Sequence, residues 1–425
     1  MIVEGPGGSC SDRLSGYIVQ TMSATHEGTD LFDVGLFADG PPHELFAEMR
    51  DQAPVRWNAT ADGGGFWSIT RHADISAISR DTATFSSYEA GIFMEPDQVI
   101  PLEVTRNLLL YKDPPDHTKY RKILQTAFVP NTVNALEDRV RARVTRIMNE
   151  FIEAGRCDFV KDFAVPIPLG MLAELMGIPD ENLPQMERWV DEIEEGQRSP
   201  EPAASTQTFV EMAGFLHEQI AIQAAAGGDS LVTKLRDAEV DGESLTDDEI
   251  LVFFGLLVFA GNDTTRNTTS SGMLTLLNNP EQWQMLCEQP EMIPQAVEEI
   301  LRWTSVVNHF ARTVMEDVEI GGQAIPKGDK VVVWYASGSR DEDACPDPGR
   351  FDITREEVKH MAFGGGGRHF CLGAGLARLE LRVMFEEVTR RMPDIQQAGP
   401  VERLSSNWAN ALTSLPVTFT PRSVE

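Results

Sequence analysis

HMAFGGGGRHFCLGAGLARLELRVMF, residues 360–385, joins four consecutive glycines to an isolated cysteine, Cys371, and then to an amphipathic helix from about Leu372. A cysteine just ahead of a helix lies near the positive end of the helix dipole, and facing amides can hydrogen-bond its sulfur. Both effects favour the thiolate. Taken alone, the segment fits a functional thiolate or a small buried hydrophobe, the commoner fate of a lone cysteine. A dinucleotide loop fits less well. Gly373-x-Gly375 is followed by Arg378 where a third glycine belongs, and no strand–acid pattern comes after it.

Working outward, the next informative stretch is AGNDTT (260–265), set in the middle of an apolar helical run. That run opens on Thr246 and Glu249, a capping-box pattern, and Pro280 stops it. Some thirty residues at about 1.5 Å each make a rod of roughly 45 Å. Gly261 weakens it locally, and Thr264 and Thr265 can bond back to the preceding turn and bend it. Asp263 is costly in a dry core unless it is paired or functional. An acid beside a hydroxyl suits proton delivery to a ligand in a pocket, whereas a polar knot that specifies packing is the structural alternative. In EEILRW, Glu299 and Arg302 lie one helical turn apart and can pair. In DPPDHTKYRKIL, His117 and Arg121 share a helix face and can clamp an anion or simply meet solvent.

The rest of the chain reads as mainly α with a minor β portion. Val133, Leu136, Val140, Val144, Ile147 and Phe151 recur at helical spacing. Strands are expected on both sides of ADGGG, with Val55, Trp57, Trp67 and Ile69 alternating, and again in 318–335. Residues 1–30 read as a loose tail and 31–425 as one domain. The 425 residues carry 36 Lys+Arg against 66 Asp+Glu, a net charge of −30. Such acidity argues against binding nucleic acid through its phosphates or docking on an anionic membrane. Five scattered cysteines, no secretory leader pattern and no long apolar run point to a reducing, cytoplasmic setting without membrane insertion.

Together, HTKYR, AGNDTT, EEILR, PDPGRF and FGGGGRHFCLGAGLAR resemble, in order and approximate spacing, the motifs of the cytochrome P450 family, from about residue 31 to the end. Among its soluble bacterial members the chain looks most like those that hydroxylate steroid, terpenoid or branched aliphatic skeletons. The resemblance implies haem b between the long central helix and the cysteine loop, with Cys371 as thiolate ligand of the iron. It implies Phe363 and Gly373 in the cofactor loop, and His117, Arg121, Arg312 and His369 on the haem propionates. The stretch from Phe363 to Cys371 is one residue longer than the commonest family pattern, so His369 is placed by its distance from Cys371. Asp263 and Thr264 match the acid–alcohol pair that delivers protons to bound dioxygen. Glu299, Arg302 and Arg350 match a buried structural triad.

The implied reaction inserts one oxygen atom of dioxygen into a lipophilic substrate, with electrons from a separate ferredoxin and ferredoxin reductase, and the chain is expected to be a monomer. A peroxide-driven haem enzyme and a non-catalytic haem sensor are the rival readings. Candidate pocket residues are Phe93, Met94, Phe254, Leu257, Val258, Val306, Val307, Asn308 and Trp408, with 190–227 as a mobile lid. Segments 105–146 and 355–391 carry +5 and +2, whereas 147–300 carries −22. This marks Lys119, Lys122, Arg139, Arg141, Arg143, Arg368 and Arg382 as candidates for steering an acidic ferredoxin.

Overall fold

The computed structural model describes residues 30–60, 63–94, 102–198, 203–227, 230–240 and 242–425. The N-terminal tail therefore lies outside the described residues, as do parts of the 86–112 loop and of the lid segment.

The long helix, Asp247–Leu277, is the axis of the molecule. Both halves of its capping box form: the Thr246 hydroxyl accepts from the Glu249 amide, and the Glu249 carboxylate accepts from the Thr246 amide. Its 31 residues run without interruption through AGNDTT. Thr264 Oγ1 does donate back to the Ala260 carbonyl at 2.8 Å, as expected, but the helix is not broken there. Helices Pro166–Met176, Ala203–Ala226, Ile293–Thr304 and Ala374–Arg391 pack against it. Gly272 permits the closest approach, since an added Cβ would fall 2.6 Å from Ile300 Cγ2 and 3.2 Å from the Phe385 ring.

Helix Glu137–Phe151 buries Val140, Val144, Ile147 and Phe151, as its spacing predicts, and Met148 with them. These join Met273, Ile300, Leu379, Met384 and Phe385 in the largest core. Each fully buried side chain of this size stabilises the fold by about 1.5–3 kcal/mol. A second core gathers Trp189, Met212, Leu216, Phe253, Phe254 and Val258.

The main sheet has five strands: β1 (Val55–Ala59), β2 (Gly65–Ile69), β3 (Phe85–Ser86), β4 (His309–Val314) and β5 (Lys330–Trp334). Their spatial order is β1-β2-β5-β4-β3. β1 and β2 form the expected hairpin, with Trp57 opposite Trp67. The inward face differs from the simple alternation, because Phe66 is buried against Phe32 while Trp57 stays exposed. Antiparallel pairing of β4 with β5 sets Arg312 opposite Val331, on a buried strand.

Candidate haem-thiolate site

The cysteine loop is held by its own backbone. The Cys371 amide donates to the Phe363 carbonyl at 3.0 Å. Gly364, Gly366 and Gly367 adopt positive φ, so the loop folds flat against helix His72–Arg80. At Gly367 (φ 73°) a Cβ would collide with the Ser79 carbonyl oxygen. Only glycine satisfies both the backbone angle and the space. The additional residue in this loop is thus absorbed by left-handed glycines.

Burial pushes the Cys371 thiol up, opposed by the Gly373 and Ala374 amides that bond its sulfur and by the fields of Arg121 and Arg378. Although surrounded by protein, Cys371 has open surface. A residue both enclosed and exposed in this way lies where the protein leaves room beside it. A Cβ on Gly373 would meet nothing within 4 Å. Arg378 pairs with Glu298 through two bonds of 2.6 and 2.9 Å and lies 4.5 Å above the Phe363 ring. That guanidinium fixes the wall of the loop.

Beside the sulfur the structure brings together His117, Arg121, Arg312 and His369. The two imidazoles lie 4.2 Å apart, centroid to centroid. Burial, then Arg121, Arg368 and Arg312, lower His117 to about 4. Burial, Arg312, His117 and Arg121 hold His369 well below its usual value. His369 Nε2 is 3.4 Å from Ser87 Oγ, and the buried His117 Nδ1 has no protein partner. Arg121 donates to the Phe370 carbonyl at 2.6 Å and Arg312 to the Ala311 carbonyl at 2.7 Å. Among the described residues, neither guanidinium has a carboxylate within ion-pair distance. A buried arginine without a counter-anion is costly, so this corner is built for an anionic group from outside the chain.

Across the molecule, Ala260 and Gly261 are exposed in the middle of the otherwise packed long helix, and a Cβ on Gly261 meets nothing within 4 Å. Asp263 and Thr264, partly open, follow them. Burial raises Asp263 to about 7, a hydrogen bond from Asn262 opposing the rise. The open stretch of helix, the open sulfur, the unpaired guanidiniums and the orphaned histidine nitrogen fit a flat, dianionic, thiolate-ligated macrocycle. On the C-terminal helix, Glu380 is fully enclosed and hydrogen-bonded to Thr265, and burial raises it to about 8. Its place in the amphipathic pattern, on the face of Leu376 and Leu379, is the only sign of it in the sequence.

The structural triad needs a correction. Glu299 and Arg302 are both wholly buried and joined through bonds of 2.7 and 2.8 Å. Arg350 does not join them through its side chain, which is 65% exposed and reaches only Asp352 at 3.6 Å. Its carbonyl accepts from Arg302 instead. The third member is Arg355, whose Nε is 3.3 Å from Glu299 Oε1 and whose other nitrogens donate to the carbonyls of Pro346, Asp347 and Arg350. The loop carries two arginines five residues apart without periodicity, so spacing could not choose between them.

Of the candidate pocket residues, Phe93 and Trp408 meet at 5.7 Å, and each lies within 6.5 Å of Phe310. Val307 bridges to Ala409, and the Asn308 amide donates to the Trp408 carbonyl at 2.8 Å. Val306 is buried beside them, and Met94 is packed with Phe66 and Trp334. Phe254 and Val258 belong to the second core and Leu257 packs against it. Phe310 was not expected from the sequence.

The basic face is smaller than the charge count suggests. Arg143 is buried against Asp180 and Glu174, Arg139 pairs with Glu174, and Arg141 and Arg382 share Glu137 and Glu386. Lys119, Lys122 and Arg368 line a surface groove of about 810 Å³ with Thr118, Ile123 and Glu239. No helix among the described residues is long and apolar enough to cross a membrane.

Comparison with known proteins agrees with this geometry. The family model of cytochrome P450 matches residues 216–393. A steroid C26-monooxygenase of Rhodococcus jostii is 37% identical over 92% of this chain and 85% of its own. A linalool 8-monooxygenase of Pseudomonas putida is 37% identical over 93% of this chain and all of its own length. Among solved structures, a Mycobacterium marinum cytochrome P450 in complex with pseudoionone superposes with a TM-score of 0.85 at 36% identity, covering 93% of this chain and 100% of that one. Members of the family are oxidoreductases that carry haem b and, in bacteria, normally take electrons from ferredoxin-type partners. By identity, coverage and fold, this chain belongs to the cytochrome P450 family.

Proposed function

We propose that this chain is a monooxygenase of neutral lipophiles of the steroid or terpenoid kind, reduced by a ferredoxin. The observation that carries the reading is the exposed Cys371 with Arg121 acting on it and Arg312 beside His369, two guanidiniums that have no carboxylate partner among the described residues. Haem b, when bound, supplies the iron that activates dioxygen. Cys371 would ligate it, Gly373 and Ala374 tuning the sulfur through their amides, and Phe363 closing the loop. Arg121, Arg312, His117 and His369 would hold the propionates. The low values of both histidines keep them neutral near pH 7, so each offers one N–H donor.

Asp263 would serve as proton donor. A carboxyl near 7 is populated in both forms at neutral pH, the condition under which general acid catalysis works best. Thr264, one residue on, would hold its proton on the Ala260 carbonyl until an acceptor offers a better bond. The Phe93–Phe310–Trp408 cluster supplies an apolar, aromatic wall suited to a ring or isoprenoid chain. The two named relatives act on a steroid and on linalool, which supports this substrate class. Lys119, Lys122 and Arg368 along the groove would meet the acidic partner.

Spectral titration with steroids, acyclic terpenoids and fatty acids, followed by product analysis with ferredoxin and its reductase, tests the proposal. A neutral lipophile should shift the haem spectrum and yield a singly oxygenated product. Preference for free fatty acids, or turnover with peroxide alone, would refute it.

A further inference from the structure

The acid assigned to proton delivery has a cation built into its own helix. Arg266 Nε lies 3.7 Å from Asp263 Oδ1, one turn further along, and the Arg266 side chain is only 8% exposed. Asn262 Nδ2 reaches the same oxygen at 3.4 Å. Glu174, Glu299, Glu380 and His217, on elements packed against this helix, each engage a group other than Asp263. They engage Arg139 and Arg143, Arg302 and Arg355, Thr265, and Asp248 respectively. Among the described residues, Arg266 makes the one ion-pair contact of Asp263.

We infer that Arg266 is a positioning residue for proton delivery. It holds the Asp263 carboxylate after the proton has left and sets the pH at which that proton is restored. The inference rests on the reading of Asp263 as the donor. In the step itself the O–H bond of the Asp263 carboxyl breaks and a new O–H bond forms on an oxygen acceptor in the pocket. Water then returns a proton to the carboxylate. A cation at this distance favours the ionised form, an influence that adds to the Asn262 bond and is smaller than the burial that raises the acid. Without it, the carboxyl keeps its proton to higher pH. With it, the carboxylate is docked at a fixed place, so that the same oxygen is presented in each turnover.

The test is the pH dependence of coupling, product formed per NAD(P)H consumed, in the reconstituted holoenzyme. A second readout is the infrared carbonyl band of the protonated carboxyl, assigned by its loss in D263N. R266Q should move both midpoints upward by about one pH unit. R266K keeps the charge but sets a shorter, point-like ammonium farther from Oδ1, and should fall between R266Q and the unaltered protein. Should R266Q not fold, as judged by circular dichroism and the carbon-monoxide difference spectrum, the smaller upward shift in R266K carries the test. Unmoved midpoints in every folded Arg266 variant, with D263N uncoupled, would overturn the role of Arg266 and leave that of Asp263 standing. Unchanged coupling in D263N would overturn the reading of Asp263 itself.

Discussion

Replacing Arg355 by alanine separates the structure's account of the buried charge network from the one the PDPGRF motif suggests. Arg355 makes one charge-assisted bond to the wholly buried Glu299 and three to loop carbonyls near the surface. A buried hydrogen bond to a charged group contributes about 1.5–3 kcal/mol, whereas bonds from a charged group to carbonyls at the wet surface, screened by water, contribute nearer the roughly 0.5–1.5 kcal/mol of a neutral pair. The three carbonyls can bond water once the side chain is gone, so their share lies at the low end. The Glu299 bond is 3.3 Å long and Arg302 still neutralises that carboxylate, so its share is also at the low end. The sum is about 3 kcal/mol. Arg350→Ala removes a much weaker interaction, a 3.6 Å pair with Asp352 at an exposed position. Screening by water leaves such a pair about 0–1 kcal/mol.

Equilibrium unfolding in urea, followed by far-ultraviolet circular dichroism, measures both variants on one scale. Holding m constant, R355A should lower the midpoint by several times the change caused by R350A. The haem absorbance of R355A should also disappear at lower urea, because Arg355 ties the Pro346–Arg350 turn to helix Ile293–Thr304 beneath the cysteine loop. Equal destabilisation of the two variants, or a larger effect in R350A, would refute the assignment of Arg355 to the network.

Cys371→Ser should fold yet lose the thiolate form of the carbon-monoxide difference band, because a hydroxyl is not ionised by the same amides; an unchanged band would displace Cys371 as ligand. Gly367→Ala should cost more than about 2 kcal/mol of stability in urea melts, since both its positive φ and the Ser79 carbonyl oppose a Cβ. Gly373→Ala, whose added Cβ meets no atom within 4 Å, should keep the stability of the haem-free protein and be read instead by weaker haem retention. Glu298 gives a pH signature. Burial raises it, but the bonds from His360 and Arg378 prevail and lower it from 4.5 to about 2. A folded value below the unfolded one adds stability that is complete above about 4.5 and is lost as pH falls toward 2. Glu298→Gln should therefore flatten the stability–pH curve in that window and leave its slope above about pH 5 unchanged.

What the sequence discloses, and what it withholds, divides along a physical line. The long helix is legible because its signals are local: a capping box at one end, a proline past the other, apolar residues between. Cys371 is legible because glycines and a helix start surround it in the chain itself. Arg355 is not, because the 346–355 loop has no period, and which arginine turns inward depends on where helix Ile293–Thr304 presents Glu299. Arg266 is hidden for a related reason: nothing in the spacing of a buried helix says that a cation three residues on turns toward Asp263 and not toward solvent. The glycine-rich segment reads as a loop, but the need for glycine at Gly367 comes from Ser79, nearly three hundred residues away in the chain.

Charge shows the same division most sharply. Segment 105–146 carries +5, and a count alone paints it as a basic face. In the fold, Arg139, Arg141 and Arg143 turn toward Glu174, Asp180, Glu137 and Glu386, joining helix Glu137–Phe151 to the C-terminal helix, to helix Pro166–Met176 and to Asp180 just beyond it. Those three arginines hold elements together, whereas Lys119, Lys122 and Arg368 line the groove. A partner steered by that groove meets Lys119, Lys122 and Arg368 with Glu239 among them, a weaker field than seven free cations would make. The salt dependence of ferredoxin-linked reduction should be correspondingly shallow. Charge reversal at Lys122 should slow the encounter, whereas reversal at Arg143 should unfold the protein before it alters electron transfer, because it would bury a carboxylate against Asp180 and Glu174. The two substitutions change net charge equally, so a difference between them measures position in the fold and not charge.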